Sequence, residues 1–160
     1  MYRLAEETPE DRAEVEALYD TAFAPGREAL SSYRLRDGVA PIAALCLMMR
    51  DDLGILAGAI RFWPVHVGEA EALLLGPVAV HPTRQGEGLG ATLIAEGLDR
   101  AQGGAWPRVL LVGDAPYYGR FGFRRLTGVH MPPPTNPDRV LGYGDWAGIT
   151  GPVTQHIRHR

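Results

Sequence analysis

Three glycines at alternate positions, Gly86, Gly88 and Gly90, separate an apolar run from an amphipathic stretch. Upstream, Glu71 to Val80 (EALLLGPVAV) is mostly apolar on both faces, as a central strand requires. Downstream, Leu89, Leu93, Ile94, Leu98 and Ala101 share one helical face until Gly103-Gly104 ends the helix. Val109 to Val112 then reads as another strand. Strand, glycine-rich turn, helix and strand make a crossover unit, which joins two parallel neighbours in one sheet. Within the first strand Gly76-Pro77 breaks the pattern; proline cannot donate to a ladder, so a bulge or splay is expected there.

Around this unit the period alternates. Tyr2 to Glu6 reads as a first strand, and Thr8-Pro9-Glu10-Asp11 as the start of a helix, with Thr8 at the N-cap and Pro9 at the first helical position. That helix ends at Pro25-Gly26, and Arg27 to Leu35 suggests a second, shorter one. Ile42 to Met49 and Ile55 to Val67 read as strands joined by the tight turn Asp51-Asp52-Leu53-Gly54, and the segment around Gly68 turns into the next strand. Beyond the crossover, Ala115 to Arg120 offers one or two helical turns, Phe121-Gly122-Phe123 leads into a strand, Pro132 to Pro137 is irregular, and Arg139 to Tyr143 returns as a last strand. The expected fold is α/β (α+β): one domain over residues 1–160, with flanking helices on a mixed, mostly antiparallel sheet whose central strand splays.

Composition removes whole chemistries. All 16 basic side chains are arginine and there is no lysine, so a Schiff-base lysine and a phosphate loop ending in Gly-Lys-Ser or Gly-Lys-Thr are excluded. The net charge of -3 opposes non-specific nucleic-acid binding. The single cysteine, Cys46, lies in an apolar run and reads as a small core residue. The N-terminal residues are too polar for a signal peptide and no run approaches membrane-spanning length, so a soluble cytoplasmic protein is expected, with no membrane partner.

Glycines at a helix start let the backbone approach a ligand closely, with unpaired amides at the positive end of the dipole. That is a cradle for an anion, with a diphosphate as its natural guest. Without lysine it relies on backbone amides, with Arg84 as the nearest fixed charge and Gln85 as a neutral donor. Gly86, Gly88 and Ala91 also satisfy a dinucleotide fingerprint, with Asp114 as its ribose-binding acid. The register opposes that alternative: His81 to Gln85 separate the strand from the first glycine, and too few residues follow Asp114 for a second nucleotide-binding half.

The pattern resembles the GNAT superfamily of acyl-CoA-dependent N-acetyltransferases, in particular its small bacterial members. Gln85, Gly88 and Gly90 match the motif Q/R-x-x-G-x-G/A after a splayed strand, and Tyr118, Gly122 and Phe123 match a second signature, a tyrosine followed by Gly-Phe. The resemblance implies transfer of an acetyl group from the cosubstrate acetyl-CoA to a primary amine by direct attack, without a metal. It implies that the backbone of Val78, Ala79 and Val80 pairs with the pantetheine arm. It also implies that Arg84, Gln85, Gly86, Glu87, Gly88, Leu89, Gly90 and Ala91 bind the diphosphate. Because Pro77 has no N-H, the Val78 amide is the candidate for polarising the thioester carbonyl. Tyr118 matches the family's general acid, and a phenol with a pKa near 10 holds its proton at neutral pH.

Tyr117 is the neighbouring alternative, and packing is the plainer role of either ring. The family's glutamate on the central strand is replaced by Leu74, so the base is unassigned: Glu69, Glu71 and His81 read as rim residues, and a water chain could serve instead. His156 and His159 lie in a C-terminal tail that predicts no convergent metal geometry. Trp63, Trp106 and Trp146 read as packing residues, with Trp63 a candidate for lining an acceptor pocket, and the proline-rich loop is expected to shape acceptor choice. The expected acceptor is a small-molecule or peptide amine, on a monomer or homodimer. A catalytically silent acyl-CoA-binding module is the competing reading from another functional class.

Overall fold

In the computed structural model, which describes residues 1–23 and 34–156, strands β3 (Leu56–Val67) and β4 (Ala70–Val80) run through both of two compact units. The first unit comprises Met1–Arg27, Pro41–Phe62 and Gly76–Gly104; the second comprises Glu28–Ala40, Trp63–Leu75 and Ala105–Arg160.

In the first unit β1 (Arg3–Glu6) pairs antiparallel with β2 (Leu47–Arg50), which pairs antiparallel with β3. Helix α1 (Arg12–Ala22) follows a short 3-10 turn at Pro9–Asp11. The Thr8 hydroxyl and amide both donate to the Asp11 carboxylate, at 2.7 and 2.9 Å, so Thr8 marks the helix entry as its sequence position suggests. α1 lays Val15, Leu18 and Tyr19 against Met48, Leu56, Ala59 and Ala79, a continuous apolar cluster. Helix α2 (Leu89–Gly103) buries Leu93, Ile94, Leu98 and Ala101, its predicted face. A β-carbon added at Gly97 would lie 2.5 Å from the fully buried Phe62 ring, so helix and strand approach more closely than any larger residue allows.

In the second unit the β3-β4 turn is two residues, Gly68-Glu69, with Gly68 at φ +58°. β4 pairs parallel with β5 (Arg108–Val112), and β5 pairs antiparallel with β8 (Val140–Gly144) over five residues. The two-residue β6 (Arg124–Arg125) adds to β8. A strand that sequence reading missed, β9 (Gly151–Gln155), pairs antiparallel with the end of β3 and parallel with β7 (Val129–His130). Its sequence, GPVTQ, opens with Gly-Pro and holds a single buried side chain, Val153; long-range pairing decides its state. The unit's core gathers Trp63, Val65, Ala72, Leu74, Leu110, Val140, Trp146 and Val153.

The mixed, mainly antiparallel α/β fold is as expected. One boundary differs. The Ile42–Met49 run begins as a 3-10 turn at Ala43–Leu45 before β2, with its Cys46 buried. The helix expected over 27–35 lies mostly outside the described residues. Among the described residues no helix is long and apolar enough to cross a membrane.

Candidate active site

The donor-side features lie in the first unit. β4 pairs with β5 only at Leu73 and Leu74, opposite Val109 and Leu110, and then runs six residues further to Val80. At the break Gly76 takes φ +130°, a region that disfavours larger residues, and the Gly76-Pro77 bond is cis. The Tyr19 hydroxyl, buried beneath the strand, donates to the Pro77 carbonyl at 3.2 Å and so fixes the residue before Val78. Val78 and Val80 are half-buried while Ala79 points into the α1 cluster. Of this strand's two faces, one is therefore committed to the core and the other is partly open.

The strand ends at Val80; the next amide, of His81, donates to the Ala57 carbonyl, and a 3-10 turn at Pro82–Arg84 delivers the chain to the glycines. Gly86 and Gly88 sit at φ +85° and +76°, both exposed, with nothing within 4 Å of an added β-carbon. Gly88 is the N-cap of α2, so the amides of Leu89, Gly90 and Ala91 open the helix without intrahelical acceptors. Leu89 turns its side chain into the core, which anchors that first turn.

The flanking side chains are engaged within the protein. Arg84 donates to Asp51 at 2.5 Å and to the Tyr2 hydroxyl at 3.0 Å, and Tyr2 in turn donates to Glu87 at 2.9 Å. Those bonds raise the Arg84 pKa and help hold Asp51 below the usual carboxylate range, where backbone amides are the largest cause. The Arg84 charge is thus matched by Asp51, and the turn's attraction for an anion falls to its backbone amides. The Gln85 amide donates to the Val80 carbonyl at 3.0 Å, closing the loop between strand end and turn.

The acid candidate lies in the second unit. Asp114 caps the short helix α3 (Ala115–Tyr118) by accepting from the Tyr117 amide at 3.1 Å, and a 3-10 turn at Gly119–Phe121 ends at Gly122, φ +98°. The Tyr118 ring meets Phe123 edge-on at 5.9 Å and lies directly over Gly113, where an added β-carbon would be 2.5 Å from Tyr118 Cε2. Burial, and secondarily the adjacent Tyr117, pushes the Tyr118 phenol above its ordinary value of 10. Tyr117 instead carries the Arg120 guanidinium over its face at 4.4 Å. The spacing to Gly-Phe thus singles out the tyrosine that is held on four sides by glycine and aromatic rings.

Leu74 is fully buried, and its hydrocarbon side chain has no group that takes up a proton. Glu69 and Glu71 are exposed, and His81 Nδ1 lies 2.9 Å from the Thr83 hydroxyl. Trp63 is buried in the core beneath Arg36, 5.6 Å from its ring, and Trp146 donates from Nε1 to the Tyr143 carbonyl, both as packing residues. The signal that sequence reading missed is Gly113, whose lack of a side chain makes room for Tyr118.

A short parallel ladder, an interrupted strand leading to a glycine turn, and a half-buried tyrosine before Gly-Phe are together the features of an acyltransferase. The chain belongs to the GNAT family and is an N-acetyltransferase. The family's acetyltransferase (GNAT) domain model matches residues 43–125. The uncharacterized N-acetyltransferase YhbS of Escherichia coli is 35% identical over 120 residues, covering 73% of this chain and 70% of that protein. The crystal structure of YhbS in complex with CoA superposes with a TM-score of 0.82 at 30% identity, covering 97% of this chain and 89% of that one. A GNAT family acetyltransferase from Brucella melitensis in complex with acetyl-CoA gives 0.72 at 31% identity, covering 98% and 96%. This membership removes the dinucleotide reading, and nothing supports the silent module.

Proposed function

We propose that residues 1–160 act as one domain that transfers an acetyl group from acetyl-CoA to a primary amine by direct attack. The observation that carries the reading is that β4 leaves its two-pair ladder and continues through Val78–Val80 to a turn whose helix-opening amides have no intrahelical acceptors. The backbone of Val78, Ala79 and Val80 would pair with the pantetheine arm. The amides of Gly86 to Ala91 would hold the diphosphate, with Arg84, Gln85 and Glu87 bracing the turn through their own bonds.

In this mechanism the neutral amine attacks the thioester carbonyl, whose oxygen accepts from the Val78 amide as negative charge develops. Collapse forms the amide and breaks the carbon-sulfur bond; the Tyr118 hydroxyl gives its proton to the departing thiolate, and the amine's proton leaves through water. The raised pKa keeps Tyr118 protonated at neutral pH, so it can donate. Direct attack needs no nucleophile from the protein and no metal. The acceptor is proposed to be a small-molecule or peptide amine in the cytoplasm, where acetyl-CoA is supplied.

The test is thiol release from acetyl-CoA across a panel of amines. Wild-type protein should turn over at least one amine, and Tyr118→Phe should lose about 10²- to 10⁴-fold in kcat while acetyl-CoA binding persists. Turnover unchanged in Tyr118→Phe removes that residue as the acid; acetyl-CoA binding without turnover of any amine returns the silent module.

A further inference from the structure

The β3-β4 turn and the end of β9 bring together three side chains that acyl transfer does not use. A two-residue turn sets Glu71 on β4 across from His66 on β3. On the other edge of β3, His66 pairs with Thr154, and His156 lies two residues further along, on the same face by strand alternation. The result is that one ligand atom from each of His66, Glu71 and His156 lies within 4.8 Å of the other two. The two imidazoles stack with centroids 5.1 Å apart and planes within 4° of parallel. His156 Nδ1 is buried and has no hydrogen-bond partner among the described residues, an uncommon condition for a polar atom.

We propose that His66, Glu71 and His156 form a binding site for a borderline divalent cation such as Zn²⁺, a structural site separate from acetyl transfer. Two neutral imidazole nitrogens and one carboxylate oxygen are a common ligand set for that class of ion, with the remaining position open to water. Bonds of about 2.0 to 2.2 Å bring tetrahedral ligand atoms to about 3.4 Å from one another, so binding contracts the cluster by about 1 Å. A metal also lies in the plane of each imidazole that binds it. Capture therefore turns one ring out of the stack about its Cβ-Cγ bond, and the unpartnered His156 Nδ1 gains a partner. Gly68 protects the arrangement: an added β-carbon there would lie 2.8 Å from the Thr150 carbonyl oxygen, so the turn that places Glu71 tolerates no larger residue. The bound ion would clasp the end of β9 to the β3-β4 hairpin.

The experiment is titration of the tag-free protein with Zn²⁺ by calorimetry, with Co²⁺ absorption reporting ligand geometry. Expected are one saturable site per chain, a visible Co²⁺ spectrum of low coordination number, and a higher Tm with Zn²⁺ in excess. His66→Ala and Glu71→Gln should each weaken binding by about tenfold or more, since removal of even an outer partner commonly costs that much. His130→Gln, at an exposed histidine outside the cluster, should bind as wild type. Glu71 is exposed and glutamine is nearly isosteric, so this variant tests the site even if His66→Ala fails to fold. The proposal is overturned by the absence of a saturable site, or by affinity that Glu71→Gln leaves unchanged. Equal losses in His130→Gln and the cluster variants would also overturn it, as that is scattered surface binding. None of these outcomes depends on acetyl transfer.

Discussion

Gly113→Ala should damage catalysis through Tyr118 without touching the donor turn. Gly113 lies outside the positive-φ region, so the effect comes from contacts of the new methyl group rather than from left-handed backbone strain. It would lie 2.5 and 2.9 Å from Tyr118 Cε2 and Cδ2 and 2.9 Å from Leu111 Cδ1, where ordinary contact begins at 3.4 Å. The ring must therefore move by about 1 Å, and its other sides are already occupied by Phe121, Phe123 and Tyr117. Misplacing a catalytic group by that distance costs about 10²-fold, or about 2.7 kcal/mol of transition-state stabilisation. Overpacking of this kind costs about 1 to 3 kcal/mol of stability, a fall in Tm of about 2 to 4 °C per kcal/mol for a chain of this size. The assay is thiol release with the best amine of the panel, beside acetyl-CoA affinity and a thermal melt. Affinity should hold and kcat should fall. In the double variant Gly113→Ala with Tyr118→Phe the losses should not multiply, because both act through one hydroxyl. Wild-type kcat in Gly113→Ala, or multiplying losses in the double variant, would show that Gly113 does not act through the Tyr118 hydroxyl.

Four further outcomes are expected. Tyr19→Phe, which leaves the buried Pro77 carbonyl without its donor, should cost about 1 to 3 kcal/mol of stability, read from denaturant unfolding. Arg61 pairs with Glu7 at 2.8 Å and with Glu16, and Arg61 and Glu7 are nearly buried; Arg61→Met strands the Glu7 carboxylate and should cost about 3 to 5 kcal/mol. Asp11 is held below the usual carboxylate range chiefly by the Thr8 amide, and Glu14 chiefly by Arg50; such groups add stability above their unfolded values that is lost as pH falls through the folded ones. Melting temperature should thus change little from pH 7 to 5 and drop below about pH 4, less steeply in Arg50→Gln. Burial pushes the Cys46 thiol up to about 11, so a thiol reagent at pH 8 should label it only after unfolding, which keeps the thiol-release assay free of background.

Local chemistry made much of this protein legible. The crossover unit, the helix face of Leu93, Ile94 and Leu98, the turn at Asp51–Gly54 and both family motifs rest on period and turn residues that act over a few positions. The exact partners of the turn were not legible. Arg84 reads from sequence as the nearest fixed charge to the glycines, yet Asp51, 33 residues away in sequence, neutralises it. β9 carries no strand signal of its own, because GPVTQ shows almost no alternation; its strand state comes from β3 and β7.

The glycine turn was legible in sequence alone, since Gly86 and Gly88 permit the positive φ that larger residues resist, and the absence of lysine leaves backbone amides as its donors. Sequence also marked Tyr118, by its spacing to Gly122-Phe123. Only tertiary structure decided that Gly113 seats that phenol and that Tyr19 pins Pro77. It likewise decided that His66, Glu71 and His156 converge. The division is physical: dihedral preference and side-chain period are local properties, whereas cross-strand register joins residues up to 90 apart whose identities carry no trace of one another.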